Sequence, residues 1–246
     1  MTRLVLPLLA LAVFLSSPKP KPQGETVPFV GCRVDGMPGV SEPPQGAARI
    51  VALDRSLAQA IAFYSGEGVP GVFAPRGWHC QGWTGSAAST LIVVPASIDT
   101  APFPPRGIHG PAVEIKVFSG GTSGRFDVAI YASRLFPRTA SKFIDRVKSE
   151  SLEPAEDFER GPYPNDIVRY PSNVMAEFTT PAHKTGLGTA GILAPSRDPI
   201  VGIAVLDTSG DWSLWVLRVR VPSNLRPVAP ALLGLNRHCM KRIDVC

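Results

Sequence analysis

The 246-residue chain is poor in charged residues (18%) and aromatics (8%), and it has only four cysteines and four histidines. Each scarcity excludes something. The longest apolar run, Leu4 to Leu15, falls short of the about twenty residues that span a bilayer and ends at Pro18-Lys19, so no stable membrane span is expected in the mature chain. The positive charges are scattered, at Lys19-Pro20-Lys21, Arg218-Val219-Arg220, and Arg237 with Lys241 and Arg242. Without a basic stripe interleaved with aromatics, nucleic acid is not an expected partner. The formal net charge of +5 leaves an anionic surface or a small ligand as the partner to expect. His79, His109, His183 and His238 have neither His-x3-His nor Glu-flanked spacing, so no metal site and no cofactor are expected.

What is present points to export. Arg3 followed by an apolar stretch and by Ser16-Ser17 has the layout of a secretory signal peptide over residues 1–17. Residues 18–25, rich in Pro and Lys, read as an extended tether, and residues 26–246 as a single globular domain. The style of the segment suits a bacterial protein destined for the periplasm or the extracellular space. An exported chain with four cysteines favours two disulfides, for which three connectivities exist. Cys239–Cys246, neighbours at a terminus that otherwise frays, and Cys32–Cys80 are the expected pairs, the latter contributing roughly 4 kcal/mol on the loop-entropy model.

With 26 Pro and 23 Gly, the chain is turn-rich rather than a helical bundle. Leu53, Leu57, Ile61 and Tyr64 recur at helical spacing, and a second helix is expected over Pro137 to Glu150 with Phe143, Ile144 and Val147 on one face. Strands are expected at Thr90–Val94, Ala112–Phe118, Arg125–Ala132, Ile167–Tyr170, Val174–Phe178, Ile200–Leu206 and Trp212–Val221, with hairpins at 112–132 and 200–221. The fold class that follows is α+β: one largely antiparallel sheet, about two helices, long Pro/Gly-rich loops and two disulfides.

Chemistry could reside in three places. His79 beside Cys80 resembles a base beside a thiol, but adjacent residues of an extended chain face opposite ways, and a disulfide-pinned turn accounts better for "WHC". Ser86 and Ser89 lack the flanking glycines of a nucleophile elbow. "GLGTAG", Gly186 to Gly191, matches Gly-x-Gly-x-x-Gly, yet Pro195 and Pro199 forbid the helix that must follow a dinucleotide fingerprint. The loop still offers backbone amides for an anion, with Lys184, Gly186 and Gly188 as binding candidates. Trp78 and Trp83 are candidate stacking surfaces, whereas Trp212 and Trp215, three apart, belong to opposite strand faces. No motif ties the chain to a family. The first reading is therefore an exported, non-catalytic binding or envelope-associated domain. The alternative is a small secreted hydrolase near the 77–89 Gly/Ser loop, gathering His79, Ser86, His183 and Asp207.

Overall fold

The computed structural model describes residues 24–37, 39–97 and 107–241. The expected signal segment, most of the expected tether and Cys246 lie outside the described residues. The chain forms β1 (Glu25–Val27), β2 (Phe29–Gly31), β3 (Arg33–Gly36), β4 (Gly39–Ser41), β5 (Arg49–Val51), α1 (Arg55–Ala60), β6 (Ile61–Ser65), β7 (Val72–Pro75), β8 (His79–Thr84), β9 (Ala88–Val94) and β10 (Ala112–Ser119). There follow α2 (Arg125–Leu135), α3 (Ser141–Ser149), β11 (Ile167–Ser172), β12 (Met175–Thr180), β13 (Ile200–Asp207), β14 (Ser213–Arg220) and α4 (Ala229–Lys241). The main sheet has nine strands in the order β11-β12-β13-β14-β10-β9-β8-β3-β4, antiparallel throughout except for β3 beside β8. A three-stranded sheet, β2-β6-β7, and the pair β1-β5 complete the architecture.

Alternation along the central strands sends side chains to two cores. Ile92, Ala112, Phe118, Ala204, Leu214 and Val216 pack beneath α2 and α3 on one face. Leu91, Val93, Val113, Ile115, Leu217 and Val219 pack on the other, against the small sheet and α4. With both faces covered, these strands read as nearly continuous apolar runs, which is why "STLIVV" and "IVGIAVL" show little polar alternation. Trp212 stacks on Phe143 of α3 at 4.7 Å, while Trp215 packs on the opposite core, as their spacing requires.

Several expectations are corrected. Residues 125–132 are not the strand partner of 112–118: β10 has β9 and β14 on its two sides, and the segment is α2. Its buried Val128, Tyr131, Ala132 and Leu135 repeat with helical spacing, and the β-branched and aromatic content that suggested a strand serves to fill the core instead. The linker must also pass close under its neighbours, since a Cβ on Gly120 would stand 1.9 Å from the Trp212 carbonyl oxygen. The helix expected from Leu53 is shorter, α1, capped by the Asp54 carboxylate on the Leu57 amide, and the fully buried Ile61–Tyr64 run continues as β6. The helix expected over 137–150 forms as α3.

Among the described residues there are four α-helices, where about two were expected. The unanticipated α4 starts near Pro230, which suits a first helical turn. It anchors through the fully buried Asn236, whose amide accepts from the Phe73 N–H (2.8 Å) and donates to the Phe73 carbonyl (2.9 Å) of β7. One disulfide is described, where two were expected: Cys32–Cys80 ties β3 to its neighbour β8. The second expected pair involves Cys246, outside the described residues, and no described cysteine is a free thiol.

Candidate functional site

The residues proposed for hydrolysis fall at opposite ends of the main sheet. His79 is exposed at the start of β8, and Ser86 lies beyond the end of that strand, past about 17 Å of extended chain. Asp207 closes β13 at the same end as Ser86 but four strand positions away, about 19 Å at ordinary strand spacing. Its carboxylate accepts from the Ser209 amide (2.9 Å) and hydroxyl (2.7 Å), a local turn. His183, exposed with a φ of 61°, follows β12 at the His79 end, five strand positions from β8. No pair among these four is brought together. Among the described residues no group of three His, Cys, Asp or Glu is placed to hold a metal ion, and no helix is long and apolar enough to cross a membrane.

The opening of β8 is the pinned strand. Cys80 is bonded to Cys32, Trp78 packs against the second core with its amide donating to the Tyr64 hydroxyl (3.2 Å), and Trp83 is 4% exposed in the first core. Trp83 is thus buried and has no ring face open for stacking, while Trp78 is partly exposed.

The 186–194 loop does hold anions through its amides, but they belong to the chain itself. Asp166 accepts from the Leu187 N–H (2.8 Å) and from the Thr180 hydroxyl (2.6 Å), and Thr180 accepts in turn from the Gly188 N–H (2.9 Å). A Cβ on Gly186 would stand 2.0 Å from an Asp166 oxygen, so glycine is needed there for close approach. Burial pushes the Asp166 carboxyl above its ordinary range in spite of these donors. Further along, the fully buried Glu114 accepts from the Ile192 N–H (3.3 Å) and from Arg218 Nη1 (3.1 Å), its direct cross-strand neighbour. Arg218 Nε donates to the Leu187 carbonyl (2.9 Å). Arg220 closes the far end, donating to the carbonyls of Gly110 (2.7 Å), Ala194 (2.6 Å) and Ile108. Two charges that appeared in the sequence as a basic cluster are thus internal, and the Gly-rich motif is a lid bolted to the sheet. Lys184 remains exposed at its edge, and Gly186 and Gly188 have no free amide to offer.

An open concave site lies elsewhere. A cleft of about 440 Å3 is bounded by the end of α2, the 136–139 linker, Gly161-Pro162 and the β11–β12 turn. Leu135, Phe136, Pro137, Pro162 and the Tyr170 ring give it apolar walls, and Arg134, Arg138, Thr139, Ser172 and Asn173 give it polar ones. Arg134 is committed: it pairs with Glu159 and lies 4.3 Å over the Tyr163 ring. Arg138, the Tyr170 hydroxyl and the Asn173 side-chain amide have no hydrogen-bond or ionic partner among the described residues. Tyr170 is 47% exposed on an edge strand, braced by an edge-on contact with Phe136 at 6.5 Å, and partial burial pushes its phenol upward. Gly161 turns the chain over the cleft at a φ of 88°. A second cleft, about 340 Å3, is lined by Val69, Pro70, Ile115, Val117, Trp215 and Met240 among others and contains no charged group.

No family model, no curated protein and no solved structure matches this chain. Sequence reasoning missed the Arg138–Tyr170–Asn173 cleft because its residues sit in a linker and a turn with no motif. One signal was readable: Pro171 after Tyr170 marks an edge strand, where an aromatic has no second strand to cover it.

Proposed function

We propose that this chain is an exported, non-catalytic binding domain, released to the periplasm or to the exterior of a bacterial cell, with its ligand site in the cleft between α2 and β11. The carrying observation is the convergence of three uncommitted polar groups, Arg138, the Tyr170 hydroxyl and the Asn173 amide, on one apolar-walled concavity. A few placed polar groups on apolar walls, in a volume of this order, is the usual composition of a small-ligand site. Export is supported by the layout of residues 1–17 and by the Cys32–Cys80 bridge, which persists in oxidising compartments. The dispersal of His79, Ser86, His183 and Asp207 over both ends of the sheet favours binding over hydrolysis, because acid, base and nucleophile must lie within hydrogen-bond reach.

Ligand-observed NMR with a fragment library tests this, comparing the wild-type protein with the Arg138→Ala/Tyr170→Ala variant. The expected result is a set of fragments whose binding disappears in the folded variant. Steady turnover of ester, peptide or glycoside substrates, abolished by changing one polar residue, would overturn it.

A further inference from the structure

We infer that the cleft takes a small organic carboxylate carried on an aromatic or branched aliphatic body. This rests on the binding reading above and adds the chemistry of the ligand. The lining residues include two guanidinium groups and no carboxylate. Arg134 already faces Glu159, which leaves Arg138 as the uncommitted cation. A guanidinium presents paired donors in a planar fork that matches a carboxylate in bidentate fashion. Thr139 also lines the cleft, immediately before the Ala140 N-cap of α3, and that helix has no side-chain cap.

The rest of the wall fixes the body of the ligand. Leu135, Phe136, Pro137 and Pro162 offer no hydrogen-bonding side chain, and the half-exposed Tyr170 ring supplies a face for an aromatic or branched group. The Asn173 amide, donor and acceptor together, can orient a further polar substituent. An extended peptide fits less well. It would pair with the outer edge of β11, where Pro171 has no N–H and the register to β12 slips between Arg169 and Ser172.

The experiment is a titration of the full exported chain, followed by backbone and side-chain NMR shifts, with benzoate, phenylacetate and isovalerate against their neutral amides. Inorganic phosphate and a short peptide ending in leucine complete the panel. The carboxylates are expected to move the Arg138, Tyr170 and Asn173 resonances and to bind about tenfold or more tightly than the amides, the usual worth of a hydrogen bond to a charged group. Arg138→Gln should remove that preference while the amides still shift Tyr170. Equal binding of acids and amides at the cleft would overturn the carboxylate assignment and leave the binding reading standing. Binding of phosphate as tight as the acids, or of the peptide alone, would overturn it in the same way. Absence of any shift in the cleft would remove the binding reading itself.

Discussion

The 180–194 loop and the α2–β11 cleft are built from similar polar materials and differ in what those materials face. In the loop, carboxylates, guanidinium groups and backbone amides are turned on one another: Asp166 on the Leu187 amide, Glu114 on Arg218 and the Ile192 amide, Arg220 on three carbonyls. In the cleft, Arg138, Tyr170 and Asn173 have no such partners among the described residues. A buried polar group without a partner costs free energy, and the loop lying flat on a covered sheet satisfies nearly all of its own, Arg218 Nη2 being the buried atom of this network left without a hydrogen bond. A surface cleft is under no such demand, because water satisfies its groups until a ligand replaces it. Mutual satisfaction marks the loop as structure, and the uncommitted groups of the cleft are what the proposed binding role rests on.

The largest expected effect breaks the closed side of that contrast. Arg218→Met leaves the fully buried Glu114 charge with only the Ile192 amide, and removing one member of a buried pair typically costs about 3–5 kcal/mol. Adding Glu114→Leu should recover part of the loss by removing the unpaired charge, the remainder reflecting the Ile192 amide and the Leu187 carbonyl that lose their partners. Urea denaturation of the three proteins measures both steps; a single-variant loss below about 1 kcal/mol would mean the pair does not hold the loop. Asp166→Ala should have a smaller effect, about 2 kcal/mol, by orphaning the Leu187 amide and the Thr180 hydroxyl. Its pH dependence has a definite sign. Burial raises the Asp166 carboxyl in the fold, so its contribution is fully present below the ordinary value of 3.8 and declines as pH rises through the folded value. The cost of the substitution should therefore grow as pH falls from neutral to below that window, and a cost that shrinks in acid would contradict the burial account.

The same contrast explains what could be read from the sequence. Strands at 88–94, 112–119, 167–172, 175–180 and 200–220 were legible because apolar runs between turn residues carry their own signal. The Cys32–Cys80 bridge was legible from the signal-like layout of the first residues and the even cysteine count. The segment 125–132 reads as a strand because Val128, Ile130 and Tyr131 fit a strand as readily as a helix by residue type, and only the neighbours already occupying both sides of β10 decide between them. "GLGTAG" drew attention as an anion loop, and the physics was right about the amides. What the sequence could not carry was the identity of the anion, because Asp166 reaches the loop through the β11–β12 hairpin rather than through local spacing. The cleft was invisible for the converse reason: nothing about Arg138 or Asn173 is unusual until three separate segments are folded beside one another.

The smallest expected effect concerns the open side and sharpens the comparison most. Arg138→Gln and Asn173→Ala should each leave stability within about 0.5 kcal/mol of wild type, since exposed side chains with no partner contribute little to the fold. Tyr170→Ala tests the boundary between the two regions, because the ring is both half-exposed and in contact with Phe136. A loss of up to about 1 kcal/mol is what one peripheral aromatic contact supplies, and it should appear without any change in the cooperativity of urea unfolding. A loss near that of Arg218→Met would place Tyr170 among the structural groups, and the cleft would then be a seam of the fold. Near-neutral stability in all three, beside the large loss at Arg218, is the pattern in which a surface is kept for a partner that the chain does not itself provide.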